Sequence, residues 1–233
     1  MYKFGDEIKV LYQDDDYVVV HKPCGLLVHR SFRSSDKYFL LQELRNQIGK
    51  RIYPVHRLDR PTSGVIAFAL NQEAAREFSN QIRNHQIKKE YLAVVRGYIE
   101  ENGTINHPIS IDKSKPKQSA ITHFERIATA SFDIPCSRYS TSRYSLVRCY
   151  LETGRYHQIR KHFAHISHHL IGDTMHGKGE HNRIFRENFG LTRLLLIAKS
   201  IEFYHYKKDK TIKIVTDLED DFANFLEASE WEY

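Results

Sequence analysis

His56-Arg57-Leu58-Asp59-Arg60-Pro61-Thr62-Ser63-Gly64, running at once into the apolar stretch Val65 to Leu70, organises the reading of the whole chain. Pro61 has no amide proton and steers Arg60 away from helix, so this segment reads as a loop feeding a strand. One carboxylate, Asp59, stands between two guanidinium groups, Arg57 and Arg60. Nearby cations favour the ionised form and keep Asp59 available as nucleophile or base near neutral pH. Thr62, Ser63 and Gly64 supply turn chemistry and allow close backbone approach. On spacing alone the same residues also fit a surface Asp–Arg cluster that closes a strand.

Upstream, Ile8 to Tyr12 and Tyr17 to Lys22 are strand-like on either side of the acidic turn Asp14-Asp15-Asp16. Leu40, Leu41, Leu44 and Ile48 have helical spacing, and that helix ends near Gly49. Downstream, Asn71 is placed to cap a helix carrying Ala74, Ala75, Phe78 and Ile82. Lys89 to Arg96 reads as a strand closed by Gly97. Further strands are expected over Ile121 to Ile127, Tyr144 to Leu151, Leu194 to Tyr204 and Thr211 to Val215. A helix over Tyr156 to Ile166 and a Gly/His/Arg-rich loop over Gly172 to Gly190 fall between the second and third of these. The lysine-rich piece Ser110 to Ser119 reads as an exposed loop. A last amphipathic helix is expected from about Leu218, with Asp217 as its cap. Strands outnumber helices and do not alternate with them, which predicts an α+β fold on a largely antiparallel mixed sheet. No long linker interrupts the 233 residues, so a single domain over 1–233 is expected.

The composition is that of an ordinary globular protein, 41% apolar and 27% charged. Its apolar runs are too short to cross a bilayer, and the N-terminus lacks an apolar signal region. Three cysteines with no CxxC pair argue against a disulfide framework or a structural zinc site, and a reducing cytoplasm fits best. Lys and Arg number 35 against 29 Asp and Glu, a net charge of +6. That balance suits a polyanionic partner, whose condensed counterions each lysine or arginine would release. Seven histidines between His157 and His181 invite a metal reading, and His165 and His169 are four apart. No carboxylate follows in a HExxH pattern, so no metal is expected.

His56-Arg57-Leu58-Asp59 with Thr62-Ser63-Gly64 resembles the catalytic motif of the RluA-type pseudouridine synthases. Three more segments resemble that family in the same chain order. They are His21-Lys22-Pro23-Cys24-Gly25-Leu26-Leu27-Val28-His29, Lys89-Glu90-Tyr91-Leu92-Ala93-Val94-Val95-Arg96-Gly97, and Thr153-Gly154-Arg155-Tyr156-His157-Gln158-Ile159-Arg160 with His162 and Gly172-Asp173. The resemblance implies that Asp59 is the catalytic aspartate, that Tyr91 lies against the target base, that Arg160 pairs with Asp59, and that Arg57 helps displace the flipped nucleotide. Lys22-Pro23 and Gly25 are expected to be architectural. Tyr91 joins a stacking face to a hydroxyl, which suits both holding a uracil and moving a proton.

Finer features resemble the TruC subgroup, which acts on uridine 65 of tRNA: Val28-His29-Arg30-Ser31, Ser137 to Val147, His165-Ile166-Ser167-His168, and His176-Gly177 followed by His181-Asn182-Arg183 and Phe189-Gly190-Leu191. His169 and Ile197 depart from the family pattern, where many relatives have proline and histidine. The resemblance implies an enzyme acting on RNA, tRNA before ribosomal RNA, through one catalytic domain without a separate N-terminal RNA-binding module; a monomer is expected. The isomerisation it implies needs no cofactor. RNA contacts are expected from Arg57, Arg60, the Lys113, Lys115, Lys117 loop, and Lys178, Arg183 and Arg186. A non-catalytic RNA-binding protein and a metallohydrolase are the competing readings. Whether Asp59 attacks the base, attacks C1′ or deprotonates the sugar stays open.

Overall fold

A computed structural model describes residues 5–30, 34, 36–111 and 114–231. In chain order the elements begin with β1 (Val10–Gln13), β2 (Tyr17–Lys22), α1 (Leu40–Ile48), β3 (Tyr53–Pro54), β4 (Ser63–Ala69) and α2 (Gln72–Arg83). Next come β5 (Lys88–Arg96), β6 (Asn102–Asn106), β7 (Ile121–Phe132), β8 (Ser142–Leu151) and α3 (Gln158–His165). The chain ends with α4 (Gly179–Phe189), β9 (Leu196–His205), β10 (Lys210–Val215) and α5 (Asp220–Ala228). This is the mixed α+β class that the strand-rich pattern predicts. The chain divides into two compact units, the first reaching Lys89 and taking in Ile197–Asp217, the second holding Glu90–Leu196 and the chain from Leu218 onward.

In the first unit β4 is the central strand. It pairs antiparallel with β2 from Tyr17↔Ala69 to Lys22↔Gly64, and β1 extends the ladder beyond β2. On its other side β4 meets β9 in a short parallel ladder, Ser63↔Ile197 and Gly64↔Ala198, while β10 folds back antiparallel on β9. Every residue of β4 is buried, which explains why Val65 to Leu70 reads as a continuous apolar run rather than an alternating one. Asn71 caps α2 as expected, its side chain accepting from the Ala74 amide at 2.8 Å. That helix lays Ala74 and Phe78 onto Tyr17 and Phe203. Gly49 closes α1 in the left-handed region at φ 65°, again as expected. The acidic turn proves to be a junction: Lys208 and His205 bind Asp14, while Lys207 and Asn71 bind Asp16.

In the second unit β5, β8, β7 and β6 form an antiparallel series in that order. Aromatic rings of Phe132, Tyr144, Phe185, Phe189 and Phe225 fill its core at centroid distances near 5 Å, for example 5.0 Å for Phe185–Phe225.

The structure departs from four expectations. The stretch Gly172 to Gly190 is not all loop, because α4 occupies Gly179–Phe189 and buries His181, Ile184 and Phe185. The helix expected over Tyr156 to Ile166 starts only at Gln158, since His157 takes a left-handed conformation at φ 56°. The last helix starts at Asp220 with Glu219 at its N-cap, and Asp217 is paired instead with Lys9 at 3.1 Å. Strand β7 also runs five residues past Ile127, to Phe132, bending at an irregularity between Arg126 and Ala128.

Candidate active site

The loop that carries Asp59 is fixed by its own unit. Lys22 is fully buried, and its ammonium donates to the carbonyls of Pro23, Leu26 and Arg60 at 2.9, 2.8 and 3.1 Å. A buried cation must find acceptors, and these carbonyls tie two loops together. The Gly25 amide donates to the Arg60 carbonyl at 2.9 Å and the Cys24 thiol to the Pro61 carbonyl at 3.2 Å. Lys22, Pro23 and Gly25 thus have the architectural part expected of them. At the other end of the loop, Gly64 has φ 108°, and a Cβ there would lie 2.2 Å from the Ala198 carbonyl oxygen. No side chain fits that approach. Between these anchors the Thr62 amide donates to the Asp59 carbonyl at 3.1 Å and closes a turn. Asp59 is half-buried and Arg57 is exposed.

Arg60, expected as an RNA contact, is exposed. Its guanidinium donates to Asp36 at 3.0 Å and to the Gly25 carbonyl at 3.1 Å, so it braces the loop it belongs to. His56 accepts from the Ala67 amide at 2.9 Å and stacks on Phe78. Desolvation, with the charge of Lys89 beside it, holds this imidazole neutral, far below its usual titration range. Desolvation also lowers the Lys89 ammonium, to about 8.

Tyr91 and Arg160 belong to the second unit. Tyr91 is buried on β5, opposite Cys149 of β8. Arg160 is buried on α3, the first turn of which follows the left-handed His157. Within this unit the carboxylate that grips Arg160 is Asp173, which stands beside Gly172 in the same motif. Nε and Nη2 of Arg160 donate to the two carboxylate oxygens of Asp173, both at 2.8 Å, and the two side chains are only 4% and 1% exposed. This is the bidentate fork that makes arginine distinct from lysine. Burial pushes the Asp173 carboxyl up, but Arg160 and the His176 and Met175 amides outweigh it and hold it at about 2. Asn182 supports the same turn, donating to the Asp173 carbonyl and accepting from the Gly172 amide.

The histidines are spent on structure one by one. His162 bridges Thr122 and the His107 carbonyl, and His168 binds the Arg96 carbonyl. His157 shares a 2.8 Å hydrogen bond with His176, whose carbonyl is bound by His169. His165 stacks on His107, and His181 meets Tyr144 at 3.0 Å. His165 ends α3 and His169 lies beyond it, so their spacing of four is not a helical one. Among the described residues, Asp14, Asp16 and His205 form a group with metal-ligand spacing, but Lys207 and Lys208 are seated on its carboxylates. The departures from the family pattern are also absorbed. His169 accommodates the His176 turn, and Ile197 is a fully buried partner of Ser63.

Of the other expected RNA contacts, Lys115, Lys117, Lys178, Arg183 and Arg186 are all exposed, and Lys113 lies outside the described residues. Among the described residues no helix is long and apolar enough to cross a membrane.

A family model described as RNA pseudouridylate synthase matches residues 16–165. The chain belongs to the RNA pseudouridylate synthase family. Full-length similarity agrees. The chain is 41% identical over 237 residues to tRNA pseudouridine synthase C of Haemophilus ducreyi, covering 97% of this chain and 98% of that one. It is 40% identical over 236 residues to the protein of the same name from Vibrio cholerae, covering 97% of each. Human RNA Pseudouridylate Synthase Domain Containing 4 shares the fold with a TM-score of 0.74 at 21% identity, covering 97% of this chain and 94% of that one. Human RNA Pseudouridylate Synthase Domain Containing 1 gives 0.75 at 22% identity, covering 93% and 86%. The RluA-type resemblance carried by the Asp59 loop, the Tyr91 strand and the Arg160 helix is therefore a family relationship.

Proposed function

We propose that the protein isomerises uridine to pseudouridine in tRNA, at uridine 65, as a monomer in the cytoplasm, with Asp59 as the catalytic carboxylate. The observation that carries this reading is near-full-length identity of about 40% to proteins named tRNA pseudouridine synthase C, with the Asp59 loop intact. The reaction breaks the N1–C1′ bond, turns the detached uracil and joins C5 to C1′, after which C5 gives up its proton. Atoms and electrons are conserved, so side chains suffice. Asp59 reacts at the base or sugar, and its half-buried place in a loop braced by Lys22 and Gly64 supports a fixed position for it. Tyr91 faces the target base and takes the C5 proton. Arg160, gripped by Asp173, contributes a guanidinium whose orientation is set before substrate binds. Arg57, exposed beside Asp59, helps displace the extruded nucleotide, whose unstacking costs a few kcal/mol that RNA contacts offset.

The test is to incubate the protein with unmodified tRNA and with ribosomal RNA and to map pseudouridine chemically. Product in tRNA at position 65, lost in Asp59→Asn while tRNA binding persists, is the expected result. Product confined to ribosomal RNA overturns the substrate, and equal modification by wild type and variant overturns the role of Asp59.

A further inference from the structure

A groove of about 700 Å³ opens on the first unit beside the Asp59 loop. Helix α1 builds one wall. Leu40 and Leu44 are buried in the protein, while Leu41 and Arg45, one turn apart, line the groove. After Gly49 the chain returns to the groove at Arg51 and Ile52, with Arg51 lying over the Tyr53 ring at 5.0 Å. Phe39 and Ile52, both buried, give it an apolar floor. Arg30, Lys37, Arg45 and Arg51 supply four positive charges, and all four are exposed. The acidic residue of the lining, Asp36, is already neutralised by Arg60 at 3.0 Å and accepts from Ser34 at 2.6 Å.

We infer that this groove is a docking surface for the ribose–phosphate backbone of the RNA substrate, holding the strand that leads away from Asp59. The inference rests on the reading that tRNA is the substrate. Three features carry it. Four cations around a concave wall focus a positive potential on whatever enters. The apolar floor offers a face to ribose or an unstacked base, the pairing of charge and flat apolar surface that suits a nucleic-acid strand. The Asp36–Arg60 pair joins the groove to the loop of Asp59, so a strand bound at that carboxylate runs on into it. The volume lies within the roughly 300–1,000 Å³ range of ordinary ligand sites.

The experiment measures tRNA affinity against salt concentration for wild type, for Lys37→Ala/Arg45→Ala, and for Lys210→Ala/Lys213→Ala, an equal loss of charge at exposed β10. At about 0.1 M salt each lost phosphate contact is expected to weaken binding roughly five- to eightfold and to flatten the logarithmic salt slope by about one. The groove variant should therefore lose roughly 25- to 60-fold, and the β10 variant much less. Lys37→Arg/Arg45→Lys should retain both affinity and slope. Equal losses in the groove and β10 variants, or none in either, overturn the groove. Wild type that binds tRNA without forming pseudouridine overturns the functional reading while the salt slopes still judge the groove. Failure of wild type to bind tRNA overturns both.

Discussion

Asp173→Asn isolates the contribution of the buried Arg160–Asp173 pair. Both carboxylate oxygens accept from Arg160 at 2.8 Å, and one of them also accepts the Met175 and His176 amides at 2.9 Å. Asparagine keeps the oxygen that serves the amides. It presents an NH₂ to the Arg160 Nε–H, donor against donor, and it removes the negative charge. Breaking a buried pair from one side costs about 3–5 kcal/mol, because the remaining charge is left uncompensated. The assay is urea unfolding followed by the fluorescence of Trp231, which is 4% exposed and belongs to the same unit as the pair. With a slope of about 3 kcal/mol per molar urea, the midpoint should fall by roughly 1 M or more. Asp173→Leu combined with Arg160→Met should recover most of that loss, since no lone charge remains. A midpoint for Asp173→Asn within roughly 0.3 M of wild type, at unchanged slope, would refute the reasoning.

Other outcomes follow from the same geometry. Tyr91→Phe should keep tRNA affinity and lose about 10²-fold or more in turnover, the usual weight of a positioned proton-transfer group; lost affinity with normal turnover would leave Tyr91 a stacking role alone. Gly64→Ala should destabilise by about 2–4 kcal/mol, because its Cβ meets Ala198 backbone at φ 108°, whereas Gly154→Ala, with nothing within 4 Å, should stay within about 0.5 kcal/mol in the same unfolding assay. Burial, with the nearby charges of Arg160 and Arg96, lowers His157 to about 3 and His181 to about 4 from an ordinary 6.5. Both are neutral in the fold, so their stabilisation is full above pH 6.5 and drains away as pH falls toward 4, at up to about 1.4 kcal/mol per unit for each. Urea midpoints at pH 7.5, 6 and 5 should decline accordingly, and a flat profile would sink that account.

Much of this was readable in the chain itself where the signal is local. Gly49 ends α1 and Asn71 caps α2 because a left-handed terminus and a capping oxygen are chosen within one turn. The four ordered motifs are legible because each is a contiguous run: the end of β2 with the loop after it, the loop before β4, strand β5, and the turn entering α3. Helix α4 was hidden by glycines and histidines that resemble loop composition, yet His181, Phe185 and Phe189 recur every four residues up to Gly190, a helical stripe in plain view. Other features needed three dimensions. Nothing in the spacing of Arg160 and Asp173 marks them as partners, since the intervening turn sets their distance. Nor does the composition of Arg30, Lys37, Arg45 and Arg51 show that they share a concave wall. The pairing of Arg60 with Asp36 is likewise set in space, by residues 24 positions apart.

The close approach of Gly64 to Ala198 sets a timetable. Contacts between residues so far apart in sequence are slow to form, since the intervening chain must first be ordered. While the ribosome is still making the chain, the Asp59 loop lacks one of its supports until residue 198 has emerged. The packing that holds this loop is therefore completed across a long sequence separation, and it forms only once both segments are present together.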